Sequence, residues 1–418
     1  MLNRRSFVAL AGGLVIASRV GKASEPKKRI AFIGTEVRQH SHAQHFLDRH
    51  TLGYTWGGQW IDPRIDVASV FLAQYPEQDL GRERIRKHGL KSFPSIAEAL
   101  TEGGSQLSVD GVVIIAEHGK YPVNEKGQTL YPRFEFFKEV VKVFEASGRS
   151  VPVFNDKHLS TDWGQCVEMV NDSRRLRFPL MAGSSLPVTR RMPAIDMPYD
   201  TPLKESVCVA YGGVDSYDFH ALETAQCMSE RRQGGEVGIV NIQARRGTAM
   251  WEYMDQDDRK ETRDLMVASL TRSHNLPVEG GYPTDRVTYE WAKRNMPETI
   301  GYFIEHRDGF RTSIFLTKIR DFNYAGLRSD NGEIVSCQMY LPMPGHGSTT
   351  ADFFNPLVRH IETLLMQERS PYPIERTLLT SGMVIGGVDS LHAGGKLIET
   401  PEMKIEYKAP SESLFWND

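Results

Sequence analysis

The feature that most constrains the fold is an alternation between Arg29 and about Ser160, where short apolar runs are separated by stretches of helical periodicity. "RIAFIG", "DVASVFLAQY", "VDGVVIIAEHG" and "SVPVFNDKH" are apolar nearly throughout rather than at every second residue. Strands buried on both faces read that way. Between them, "HAQHFLDRH" sets Ala43, Phe46 and Leu47 on one helical face, while "RERIRKHGL" and "SIAEAL" are short helices. "FEFFKEVVKVFEASG" ends at Gly148, as a helix stop should. Successive strands joined through helices lie parallel. Residues 28–160 are therefore predicted to form a doubly wound parallel sheet.

The pattern changes after Thr161. A helix over about Asp162 to Asn171 leads to "FPLMAGSSLPV", a proline-rich crossing, "ESVCVAYGG" and the helix "DFHALETAQCMSERR". "VGIVNIQARRG", "IGYFIEHRDGFRTSIFLTKI", with a turn at Asp308-Gly309, and "EIVSCQMYLP" read as strands. "FFNPLVRHIETLLMQ" is amphipathic, and a last helix from Pro373 is expected to break at Gly386 and Gly387. Residues 161–418 are thus expected to form an α+β domain with an open, largely antiparallel sheet.

Charge and cysteine usage narrow the function. Fifty Lys and Arg face 53 Asp and Glu, with no dense basic run in the body of the chain, so a nucleic-acid partner is not expected. Four scattered cysteines form no CxxC pair and read as small buried hydrophobes. Residues 1–24 carry Arg4 and Arg5, then a short apolar run and small residues near Ala23, the pattern of a twin-arginine export signal. The run is shorter than the roughly 20 residues that span a bilayer. A periplasmic protein with no lasting membrane insertion is the expectation, an uncleaved anchor the alternative.

In an open parallel sheet, ligands bind at the carboxyl ends of the strands. The loops there carry Glu36, Gln39, His40 and His42 after the first strand, and Glu117 and His118 after the strand "VDGVVIIA". Asn155, Asp156, Lys157 and His158 follow the next. Lys157, ending an apolar strand, is a candidate acid/base or substrate contact. His220 precedes a helical stripe and is a second candidate, against a structural histidine on the sheet. For Asp215 and Asp218, helix capping competes with catalysis. His42 and His45 share a helical face at ligand spacing, but exposed histidines explain that equally, and no metal ligand is assigned.

With these residues in view, the chain resembles the glucose-fructose oxidoreductase, inositol dehydrogenase and rhizopine-catabolism family (Gfo/Idh/MocA) from Arg29 to about its end. "IGTEVRQHSHA" aligns without gaps to that family's strand, glycine loop and His-Ala, here Gly34, His42 and Ala43. "ASGRSVPVFNDKHLS" places Lys157 on its catalytic lysine, and "GGVDSYDFHALETAQCM" places His220 on its catalytic histidine. "KSFPSIAEALTEGG…VDGVVIIAEHG" and the C-terminal helix pair complete the likeness. The resemblance implies a Rossmann-like first domain and an NAD- or NADP-dependent oxidoreductase of sugars or polyols. It also implies a homo-oligomer formed through the second domain's sheet.

The departures matter as well. Glu36 and Gln39 replace the second and third glycines, and Ser216 replaces an aspartate ahead of His220. Glycine lets the backbone approach a pyrophosphate, whereas a carboxylate at that place competes with it. The expected cofactor contacts are Gly34, Thr35, Glu36, His42, Glu117 and His118; the expected catalytic group is Lys157, His220 and Asp218. Two further readings stay open. One is a nucleotide-free or metal-assisted sugar lyase, hydratase or isomerase on the same fold, the other a non-catalytic periplasmic binding protein.

Overall fold

Lys28–Gly34, β1, lies at the centre of a parallel sheet. The computed structural model describes residues 27–280, 282–341 and 351–417; the twin-arginine segment lies outside them. The sheet continues with β2 (Ile65–Leu72), β3 (Lys91–Ser92), β4 (Gly111–Ile115), β5 (Val153–Asp156) and β6 (Leu180–Gly183). Its spatial order is β3-β2-β1-β4-β5-β6 with every pair parallel. Chain order reverses direction between β1 and β4, which opens a crevice at their carboxyl ends.

Helix α1 (His42–Leu52) starts where Ser41 accepts a hydrogen bond from the Gln44 amide. Such a cap is worth about 1 kcal/mol, whereas burying Phe46 or Leu47 contributes about 1.5–3 kcal/mol each. Both side chains are fully buried, so packing holds the helix and the cap sets where it begins. After α2 (Gly81–His88) come α3 (Ile96–Thr101) and α4 (Arg133–Ser147). At the start of α3 the Ser95 hydroxyl accepts from the Glu98 amide and donates to Glu98 Oε1, each at 3.1 Å, and Gly148 ends α4 in the left-handed conformation. These two helices and α5 (Trp163–Arg175) cover one face of the sheet. The other is covered by α1 and by a helix from near the chain's end.

Two differences from the sequence reading appear here. The parallel sheet does not stop near residue 160 but takes in β6, whose buried run Leu180–Gly183 pairs with β5. A small hairpin, Tyr54–Trp56 with Gln59–Ile61, was also not expected. Its strands are too short to show a two-residue alternation.

The second sheet holds β7 (Arg191–Met192), β8 (Leu203–Tyr211), β9 (Ile239–Arg246), β10 (Ile300–His306), β11 (Arg311–Thr317), β12 (Phe322–Arg328), β13 (Ile334–Met339) and β14 (Ile398–Glu399). Its order is β14-β9-β10-β11-β8-β12-β13-β7, antiparallel except for β8 with β11. The turn at Asp308-Gly309 joins β10 and β11 as expected, with Gly309 at φ 82°.

This sheet is covered on both faces. On β8, Cys208 and Ala210 face α6 (Asp218–Ser229), while Val207 and Val209 face α7 (Thr248–Met254), α8 (Lys260–Leu270) and α9 (Tyr289–Asn295). Those last three helices were not foreseen, and they cover the face of the sheet opposite α6. After α10 (Asn355–Gln367), which returns to the first sheet, α11 (Ile374–His392) runs unbroken through Gly386 and Gly387. A Cβ at Gly386 would lie 2.5 Å from Ile242 Cγ2, and one at Gly387 would lie 2.2 Å from Tyr302 Cε2. The glycines permit close helix–sheet contact rather than ending the helix.

Candidate active site

The crevice at the carboxyl ends of β1, β4 and β5 deepens into a cavity of about 250 Å³. Thr35 zips two of its loops together, its amide donating to Ile115 O at 3.2 Å and its hydroxyl to Glu117 O at 2.6 Å. His40, His42, His45, Glu117, His118 and Lys157 line it from the first domain, and Ser216, Tyr217 and His220 from the second. Sequence-predicted residues from three separate strand ends and from α6 thus meet in one place.

Asp218 is not among them. Its carboxylate turns into the start of α6, accepting from the Asp215 amide at 3.0 Å, the Phe219 amide at 2.9 Å and the Tyr302 hydroxyl at 3.0 Å. Burial pushes it up to about 6. Gly34 does not line the cavity either; a Cβ there would approach Leu72 Cδ2 to 2.9 Å.

Lys157 donates to Glu117 Oε1 at 2.8 Å, and Arg133 donates to Glu117 Oε2. Burial favours the neutral acid, but the Lys157 and Arg133 cations outweigh it and hold Glu117 well below the usual carboxylate range. Arg133 also contacts His158 Nε2 at 3.1 Å. A guanidinium only donates, so that nitrogen accepts and the ring proton sits on Nδ1. Burial and the neighbouring Arg133 push His158 well below the usual histidine value.

A second link joins β5 to α1. His42 Nδ1 lies 2.6 Å from Asp156 Oδ2, and the Asp156 side chain is 1% exposed. A carboxylate accepts, so this nitrogen donates. Three other cavity histidines, His118, His45 and His220, are held neutral. Burial and the nearby His42 lower His118 to about 3; burial and Arg49 lower His45 to about 3. Burial and Lys157 lower His220 well below its ordinary value.

Backbone strain gathers here too. His40, His118 and Lys157 have φ of 63°, 70° and 62°. Such left-handed conformations cost non-glycine residues about 1–3 kcal/mol each and cluster at functional sites. Asp215, at φ 60°, accepts from the Thr129 amide at 2.8 Å and so ties the α6 entry to the loop over residues 117–132. That loop brings Tyr131 to the cavity wall and ends at Arg133. The sequence reading missed both. An arginine directly before the apolar run "FEFF" was the available signal, since a cation at a buried helix face requires a partner.

The β1–α1 loop decides how a dinucleotide would be received. Glu36 is 5% exposed, and its carboxylate takes a hydrogen bond from Arg38 Nε at 2.7 Å. Ser41 Oγ receives the Arg38 and Gln44 amides, both at 3.1 Å, and Gln44 Oε1 receives the His40 amide at 2.7 Å. An anion therefore already stands where the fold seats a pyrophosphate, and the chain supplies it. Beside it, Arg38, Gln74, Tyr75 and Lys120 line an open groove with Glu36. The cations bordering that groove are Arg38 and Lys120.

Among the described residues no group of three His, Cys, Asp or Glu side chains could hold a metal ion, and no helix is long and apolar enough to cross a membrane. All four cysteines are buried and unpaired.

No family model matches the chain, and no curated protein sequence does. Solved structures do match. Myo-inositol dehydrogenase from Lactobacillus casei, in complex with NAD(H) and myo-inositol, superposes with a TM-score of 0.57 at 9% identity over 90% of this chain and 97% of its own. GenD2 from gentamicin A biosynthesis, in complex with NAD, gives 0.54 at 12% identity over 94% of this chain and 99% of its own. A probable dehydrogenase from Thermotoga maritima gives 0.54 at 11% identity over 90% and 99%. The parallel sheet followed by a mixed, mostly antiparallel one is thus shared end to end, and the chain has the fold of the Gfo/Idh/MocA dehydrogenases.

Proposed function

We propose that this protein is an exported oxidoreductase that acts on a hydroxyl of a carbohydrate or polyol with a nicotinamide cofactor. The observation that carries this reading is Lys157, fixed by Glu117 at the end of β5 and lining one cavity with His220. Two structures that share this fold support it, a myo-inositol dehydrogenase in complex with NAD(H) and myo-inositol and GenD2 from gentamicin A biosynthesis in complex with NAD.

The residues divide the work as follows. Lys157 Nζ, already bonded to Glu117, offers its remaining protons to the reacting oxygen and stabilises the charge that forms there as its proton leaves. His220, kept neutral by burial and by Lys157, orients the substrate without adding charge. Arg38 and Lys120 would hold the nucleotide phosphates. A bound nicotinamide supplies the hydride acceptor. Tyr131, Tyr217 and Phe354 wall the cavity and limit the water in it.

A dye-linked or absorbance assay with NAD and NADP against a panel of polyols and aldoses tests this reading. Reduction of the nucleotide by any of them, lost in Lys157→Met, supports it; none across the panel counts against it. Glu36 at the pyrophosphate place favours a second reading, a nucleotide-free lyase or isomerase on the same cavity. In that case the sugar would be consumed with no nucleotide present.

A further inference from the structure

A hydroxyl cannot be oxidised until its proton has somewhere to go. Lys157 is committed as a donor to Glu117, and Glu117 is locked between two cations. His45 and His220 are buried, His118 is half-buried and His40 exposed, and no ring nitrogen of these four meets a carboxylate among the described residues. A proton taken up by any of them would have no carboxylate bonded beside it to balance the charge. His42 differs. It is the cavity histidine whose Nδ1 is bonded to a carboxylate, its side chain is 16% exposed, and its Nε2 is left for the cavity it lines.

We propose that His42 is the proton acceptor for the reacting hydroxyl and that Asp156 is its positioning residue. The proposal rests on the reading that the substrate presents a carbohydrate or polyol hydroxyl. The substrate O–H bond breaks, an N–H bond forms at His42 Nε2, and the electron pair stays on the oxygen beside Lys157. The imidazolium's positive charge is then shared with Asp156, whose Oδ2 already holds Nδ1–H and whose Oδ1 has no other partner among the described residues. His42 is packed edge-on against Phe354 at 5.2 Å and tilted against the His118 ring at 5.5 Å. The charged and titratable groups around it are Asp156, Glu117, Lys157, His40, His45, His118, His220, Tyr131 and Tyr217. Asp156 is the carboxylate among them that is free of a fixed cation.

Nitrogen NMR of the full chain labelled at histidine tests this without a substrate. The expected result is a His42 ring protonated at Nδ1 and bare at Nε2, with that preference lost in Asp156→Ala and kept in Asp156→Asn. A wild-type ring protonated at Nε2 would overturn the proposal. Where the wild type turns over a polyol, His42→Gln is expected to lose about 10²–10⁴ in kcat with KM little changed. Asp156→Asn is expected to lose less and to move the acid limb of the pH–rate profile. Unchanged kcat in His42→Gln would overturn the assignment. A wild type with no turnover, but with the expected tautomer, counts against the oxidoreductase reading and leaves the His42–Asp156 pair standing.

Discussion

Lys157 Nζ and Glu117 Oε1 lie 2.8 Å apart, both side chains under 9% exposed, and they join the ends of two parallel strands of one sheet. Removing the lysine is expected to lower kcat by about 10²–10⁴. Its stability cost should be smaller than the roughly 3–5 kcal/mol of breaking an isolated buried pair, because Glu117 keeps Arg133. Lys157→Met, followed by turnover and by urea denaturation, checks both. A large loss of stability with unchanged turnover would make the pair structural.

Acid should destabilise the fold well before carboxylates titrate. His45, His50 and His118 are lowered to about 3, each chiefly by burial, so the unfolded chain binds protons near pH 6.5 that the folded chain refuses. Stability from these groups is complete above about pH 6.5 and falls as pH drops toward 3, by about 1.4 kcal/mol per pH unit for each. Glu117, held well below its ordinary 4.5, is charged in both states above that value and adds no slope there. Both ring nitrogens of His50 lack a partner among the described residues. His50→Leu should therefore flatten the decline between pH 6.5 and 4.5; an unchanged slope in denaturation would contradict this.

The close contact of α11 with the second sheet makes Gly387 intolerant of a side chain. Gly387→Ala forces a methyl against Tyr302, whose hydroxyl also binds Asp218, and should cost about 1–3 kcal/mol. Thermal unfolding reads the change directly. A neutral substitution would mean that the helix sits farther from the sheet.

The first sheet was legible in the sequence because buried parallel strands leave unbroken apolar runs, and their ends put Lys157, Glu117, His118 and His42 at one edge. Pairings across long separations were not legible. His42 and Asp156 are 114 residues apart, and neither residue's neighbours point to the other. Tyr131 and Arg133 reach the site through a loop whose course follows from Asp215 holding Thr129. Gly386 and Gly387 looked like a break because local propensity disfavours glycine in helices, yet tertiary packing on Ile242 and Tyr302 outweighs it. Helices α7 to α9 escaped notice because each is short, seven to eleven residues, and gives few turns over which to count a period.

The central claim, a nicotinamide site in which the chain's own Glu36 stands at the phosphate position, is tested most directly by calorimetric titration of the folded protein with NAD and NADP. Like charges about 4 Å apart repel by about 1 kcal/mol in water and by more near a protein surface. The account predicts saturable binding to the wild type and affinity at least about fivefold tighter in Glu36→Gly, which removes the carboxylate and frees Arg38. No binding of either nucleotide to both proteins at millimolar concentration would contradict it.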